Sequence, residues 1–177
     1  MSAEIWWLLA VVILLIVASA FFSSAETALT AASDARMRQL ASKGNRRALL
    51  VEKLRADREG LIGTILIGNN AVNVIASALA TSVAISLFQD AGLLWATLTM
   101  TVVLVIFAEV MPKTYAFTYS DKYALAIAPA IQLVVVVLNP LAVGLRFLAS
   151  QLIRKNAEQE ANREEELRGL IELHGAE

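Results

Sequence analysis

Four apolar stretches, residues 5–22 and onward, 61–88, 93–117 and 123–148, constrain this chain more than anything else in it, because each is long enough to cross a bilayer. A lipid-embedded backbone must satisfy its own hydrogen bonds, so such stretches are helices unless they close into a barrel, and continuous apolar runs without strict alternation are helical. The composition agrees: 58% of the residues are hydrophobic, only 18% are charged, and the charges cluster outside the apolar stretches. The expected class is all-α integral membrane. Cysteine is absent, which removes disulfides and thiolate metal chemistry.

Charge placement orients the helices. The first stretch carries Ala18-Ser19-Ala20, which resembles a signal cleavage site, but it begins Met-Ser-Ala-Glu and its basic cluster follows rather than precedes it. Eight Lys/Arg lie in residues 36–58, so the N-terminus is expected outside and the basic segment, a juxtamembrane helix over 34–58, in the cytoplasm against anionic head groups. Spans at 4–32, 61–88 and 93–118 then alternate across the membrane, with Trp6, Trp7 and Trp95 as outer aromatic anchors. The stretch 122–150 contains Pro129 and Asn139-Pro140 and is followed by Arg146, Arg154 and Lys155. A re-entrant or interfacial helix pair that returns to the cytoplasmic face is expected there. Residues 1–155 thus make one transmembrane domain. Residues 156–177, with seven Glu, form an acidic amphipathic cytoplasmic linker in which His174 is an exposed residue. The chain stops partway through that pattern, and a soluble domain is expected beyond it.

Inside the apolar stretches sits a polar set: Ser19 and Ser23 in the first, Asn69 and Asn73 in the second, Glu109 in the third. A carboxylate at mid-membrane costs roughly 2.5–3.5 kcal/mol even on lenient scales, which makes an intramembrane Glu a hypothesis about an ion. Residues four apart share a helix face, so the serines present two hydroxyls and the asparagines two amide carbonyls. Pro112 lacks the N–H that would bond the Ala108 carbonyl beside Glu109, and Gly68 permits distortion or close approach. All-oxygen donors without His or Cys suit Mg2+, Ca2+ or Na+ rather than zinc, copper or iron. The same residues also fit interhelical packing and hydrogen-bond glue. Ser24 and Asn70 lie one position off the two faces. Glu26 reads either as lining an inward vestibule or as an interfacial carboxylate facing the basic segment.

The strings Ala-Phe-Phe-Ser-Ser-Ala-Glu-Thr-Ala-Leu (20–29), Ile-Gly-Asn-Asn-Ala-Val-Asn (67–73) and Phe-Ala-Glu-Val-Met-Pro-Lys (107–113) resemble the signatures of the CNNM/CorC magnesium-transporter transmembrane domain. The string Glu-Glu-Glu-Leu-Arg-Gly-Leu-Ile-Glu (164–172) resembles that family's linker into cytoplasmic CBS domains. The resemblance implies a homodimer of three-span protomers with a juxtamembrane belt-like hairpin, in the inner (plasma) membrane. It implies a magnesium site at Ser19, Ser23, Gly68, Asn69, Asn73 and Glu109, with Glu109 followed by Pro112. It further implies Mg2+ export, coupled to Na+ entry. The rival readings are a cation channel and a non-transporting anchor or dimerisation module. No nucleophile-base constellation or phosphate-binding loop points to an enzyme, and nothing points to nucleic acid.

Overall fold

Three successive helix starts each carry a side-chain cap, at Ser33, Asn45 and Asp57, and these caps set the element boundaries of the basic segment. This computed structural model describes residues 3–144 and 147. Helix α1 (Ala3–Ala31) is an unbroken run without glycine or proline. It stops at Ser33, which is extended and caps α2 (Asp34–Ser42) by accepting the Arg36 N–H. Gly44 then takes a positive φ of 83°, and Asn45 accepts the N–H groups of Arg47 and Ala48 to open α3 (Arg46–Ala56). The basic segment is therefore a helical hairpin rather than the single helix expected over 34–58. The reason is legible in Gly44-Asn45, a left-handed stop followed by a strong N-cap. Asp57 accepts the Gly60 N–H and starts α4 (Arg58–Phe88).

Three helical stretches are long and apolar enough to cross a membrane: Ala3–Ala31, Arg58–Thr118 and Ser120–Gly144. The second has 61 residues, about three times what one crossing needs, and is folded back on itself at Gln89. There φ turns to 53° and a short tight turn, Gln89–Ala91, leads into α5 (Gly92–Val103). The returning arm continues through a wide π-helical turn, Leu104–Val110, into α6 (Met111–Thr118). Gly92 packs so closely on α4 that a Cβ would overlap the Ala84 backbone and stand 2.6 Å from the Ile85 Cα.

Helix α7 (Ser120–Gly144) begins one residue after α6 and continues through Pro129 without a break. Its course is strongly inclined to α1. Tyr123 bonds Ser24, while Leu138, fifteen positions later, reaches Gly68 beside the Phe22 ring. Those fifteen residues span roughly 22 Å along α7, whereas Phe22 and Ser24 are only about 3 Å apart along α1. Over 120–144 the helix pair expected for 122–150 is thus a single helix, Asn139-Pro140 included; residues 145–146 and 148–150 and the linker (156–177) lie outside the described residues.

Two apolar clusters hold the helices. The larger joins Ala25, Ala28 and Leu29 of α1 to Leu61 and Ile65 of α4, Ala116 of α6, Met37 and Val51 of the basic hairpin, and Ile127 and Ile131 of α7. The smaller joins Val12, Ala76 and Met100. The basic hairpin is fastened by two polar junctions. The Arg55 guanidinium, 11% exposed, donates to the Ala32 carbonyl at 3.0 Å and pairs with Asp34 at 2.9 Å. Asp121, at the start of α7, accepts the Ser33 N–H at 2.8 Å and meets Arg36 at 3.6 Å.

Gly92→Ala is expected to destabilise the domain by about 1–3 kcal/mol through backbone overlap, while Gly63→Ala, whose Cβ meets nothing within 4 Å, gains up to about 1 kcal/mol of helix propensity. Thermal unfolding of both variants in detergent checks this. Equal shifts would show that the hairpin turn does not need glycine.

Candidate functional site

Helices α1 and α4 are antiparallel: Val12 packs by Ala76, Ala25 and Leu29 share a cluster with Leu61 and Ile65, and Ser19 meets Asn69 between them. Small side chains on α1 allow this close contact, and Gly68 extends it, since a Cβ there would stand 2.8 Å from the Phe22 ring. The helix stays regular through Gly68, so close approach rather than backbone distortion explains the glycine.

Ser19 and Ser23 are both buried, each 1% exposed, on the face of α1 that meets α4. The Ser19 hydroxyl donates to the Asn69 side-chain carbonyl at 2.8 Å. One turn away in each direction stands an oxygen with no partner: Ser23 Oγ and Asn73 Oδ1 are buried without a hydrogen bond. An orphaned buried oxygen costs about 1–3 kcal/mol, so each of the two that flank the satisfied pair calls for a partner that the described residues do not supply.

The antiparallel arrangement, however, moves the two orphans apart. Ser23 lies about 6 Å from the Ser19–Asn69 bond toward the basic hairpin and Asn73 about 6 Å the other way, roughly 12 Å between them along the bundle. Two oxygens on one Mg2+ stand no more than about 4.2 Å apart. The five residues expected to form one cage therefore divide, and Asn73 belongs to a separate level from Ser23.

Glu109 also departs from expectation. Its side chain is 57% exposed and accepts from Lys113 Nζ at 3.0 Å, the i, i+4 geometry of a helical ion pair. The residue that the π-helical turn buries is its neighbour Ala108, 2% exposed. In depth Glu109 is well placed. Helices α1 and α6 run in the same direction with Ala116 packed among Ala25 and Ala28, and Glu109 lies seven residues earlier, level with Ser19 and Ser23. The wide turn follows from Pro112, whose ring would clash with the carbonyl four residues back. The chain relieves the clash by adding a residue to the turn, and Met111 N–H bonds the Ile106 carbonyl instead.

Of the off-face residues, Ser24 is buried and structural: its hydroxyl donates to the Phe21 carbonyl at 3.0 Å and lies 2.9 Å from the Tyr123 hydroxyl. Asn70 is exposed and Glu26 half-buried. Among the described residues no three His, Cys, Asp or Glu side chains gather in a metal-binding cluster, so any cation here rests on neutral oxygens and one carboxylate. Sequence reasoning missed Tyr123 as the partner of Ser24, and Arg55 and Asp121 as the residues that fasten the basic hairpin. A lone acid at the head of an apolar helix, opposite a basic segment, was the available signal for Asp121.

The chain matches the family model described as "Cyclin M transmembrane N-terminal domain" over residues 10–177. It belongs to the CNNM transmembrane-domain family. It is 40% identical over 130 residues to an Escherichia coli K12 protein named UPF0053 inner membrane protein YfjD, covering 73% of this chain and 30% of that one. A UPF0053 protein of Haemophilus influenzae is 32% identical over 156 residues, covering 85% and 37%. A chloroplastic DUF21 domain-containing protein of Arabidopsis thaliana is 31% identical over 157 residues, covering 86% and 24%. The chain thus spans about a quarter to somewhat over a third of the length of these relatives. Family membership and the long apolar helices together make it a multi-pass membrane domain.

Ser24→Ala and Tyr123→Phe should each cost about 1 kcal/mol of stability, and the double variant no more than either alone if the two hydroxyls serve each other. A double-mutant cycle on thermal unfolding reads this directly. Full additivity would mean that the α1–α7 contact is purely apolar.

Proposed function

We propose that this domain binds Mg2+ between α1, α4 and the π-helical turn and exports it by alternating access in exchange for Na+. The observation that carries the reading is the layer of oxygen donors between two apolar clusters, in which Ser23 Oγ and Asn73 Oδ1 are buried without partners. Interhelical glue accounts for the Ser19–Asn69 bond but leaves both orphans unexplained. Val12, Ala76 and Met100 close the outer side of the layer and Ala25, Leu29, Leu61 and Ile65 the inner side, which favours a gated carrier over an open pore.

The ion is held by Ser19, Asn69 and Glu109, and Ser23, about 6 Å from the Ser19–Asn69 bond, reaches it through one of the waters that Mg2+ keeps. Asn73, one level further out, receives it on the way through. Lys113 acts as the carboxylate's resident cation: it neutralises Glu109 while the site is empty, and Mg2+ displaces it. A divalent hard cation suits this exchange because it gains more from one carboxylate than an ammonium does and accepts neutral oxygens readily. The remaining assignments of this reading are an N-terminus outside, a cytoplasmic C-terminus, a homodimer, and CBS domains after residue 177.

Calorimetric titration of Mg2+ into the purified domain tests the site. Glu109→Gln is expected to weaken binding roughly hundredfold, as loss of a charged partner does, and Ser23→Ala about fivefold, as loss of a neutral one does. Added Na+ should compete. Unchanged Mg2+ affinity in Glu109→Gln would remove the assignment, and flux into proteoliposomes that ignores the Na+ gradient would favour a channel.

A further inference from the structure

At the α6–α7 turn, Arg36, Thr118, Tyr119, Ser120, Asp121 and Lys122 line a cavity of about 160 Å³. Its two cations come from distant parts of the chain, Arg36 from α2 and Lys122 from α7, so only the fold brings them together. Lys122 is exposed and forms no ion pair among the described residues. Arg36 is held at one end by Asp121 at 3.6 Å, yet its side chain stays 61% exposed, which leaves most of its fork of N–H donors free. Asp121 is the opposing charge, but its carboxylate is already engaged by the Ser33 N–H and Arg36. The lining therefore carries a net single positive charge. The Ser120 hydroxyl makes no side-chain bond among the described residues and can donate; Thr118 Oγ1 already donates to the Thr114 carbonyl.

The depth of the cavity is fixed by an independent observation. Tyr115, Phe117 and Tyr119 project from the adjoining end of the returning arm, 57%, 69% and 51% exposed. Large exposed aromatics at the end of an apolar helix sit at head-group level in a membrane protein. The larger apolar cluster, with Ala116 from this same stretch, packs behind them and reaches into the basic hairpin at Met37 and Val51. A small cationic cavity at that level faces lipid phosphates.

We propose that this cavity binds the phosphate of an anionic phospholipid, with Lys122 and Arg36 as its cations and Ser120 as a donor. The bound lipid ties α2 to the start of α7 from outside, where Asp121 ties them from within. The assignment is independent of the magnesium reading, because it uses none of the same residues.

Native mass spectrometry of the purified chain, titrated with phosphatidylglycerol or phosphatidylcholine in neutral detergent, is the test. Phosphatidylglycerol is expected to bind at least about tenfold more tightly than phosphatidylcholine, and Lys122→Gln to weaken it about fivefold. Arg47→Gln, an exposed basic change on α3 outside the cavity, should leave that affinity unchanged. Equal losses in the two variants would replace the site with diffuse attraction to the basic hairpin, and no preference between the lipids would overturn it. Inorganic phosphate and glycerophosphoglycerol identify the source: failure of either to displace the lipid at matched concentration is expected, while displacement by them would reassign the cavity to a soluble phosphate. Protection of Lys122 from acetylation by phosphatidylglycerol gives a readout that needs no variant; unaltered acetylation with lipid bound would also overturn the proposal.

Discussion

The close antiparallel contact of α1 with α4 is the constraint on which the rest of the structure depends. Lipid offers no hydrophobic reward for helix association, so the two helices adhere through short side chains that let their surfaces approach and through hydrogen bonds between them. Ser19, Ser23, Ala25 and Ala28 on one side and Gly68 with Ala76 on the other supply the first, and the Ser19–Asn69 bond supplies the second. Every other element is positioned against this pair. The returning arm packs Ala108 and Ala116 along α1, and α7 crosses it obliquely, held by Tyr123 at Ser24 and by Leu138 over Gly68. The polar layer exists because small polar residues permit the approach and, at Ser19 and Asn69, bond across it.

The prolines act here as instruments of position rather than as breaks. Pro129 passes inside α7, whereas Pro112 widens the turn before it by one residue. The difference has consequences at Glu109. A widened turn changes which residue faces the neighbouring helix, so Ala108 is buried and the carboxylate beside it turns to Lys113. In the proposed cycle, the competition between an internal ammonium and an incoming divalent ion is the step that makes occupancy of the layer conditional. A fixed carboxylate among the serines would bind without release.

The end of the bundle that carries the basic hairpin is organised by fixed charges at helix termini. Arg55 covers the end of α1 by donating to the Ala32 carbonyl, and Asp121 receives the first free N–H after it. These two side chains satisfy backbone groups that a helix end leaves open, and in doing so they bind the basic hairpin to the membrane helices. The hairpin thereby reports on the position of both α1 and α7.

How much of this was legible in the residues follows from which interactions are local. Apolar runs of sufficient length made the class all-helical and membrane-embedded, since a lipid-exposed backbone has few alternatives. Four-residue spacing placed Ser19 with Ser23 and Asn69 with Asn73 on single faces, and Gly44-Asn45 already contained the turn that divides the basic segment. Other outcomes depended on elements far apart in the chain. Antiparallel packing set Ser23 and Asn73 on opposite sides of the Ser19–Asn69 bond, a separation that spacing within each helix cannot reveal. The π-helical turn rotated Glu109 away from the face that a regular helix would have given it. The pairing of Ser24 with Tyr123, and of Arg36 with Asp121, required α7 to lie across α1. The sequence by itself determined which segments enter the membrane and which oxygens go with them, because those are matters of length, hydropathy and helical period; only the tertiary structure decided which oxygens share a level, because that is set by the direction and register of helices whose contacts span fifty residues or more.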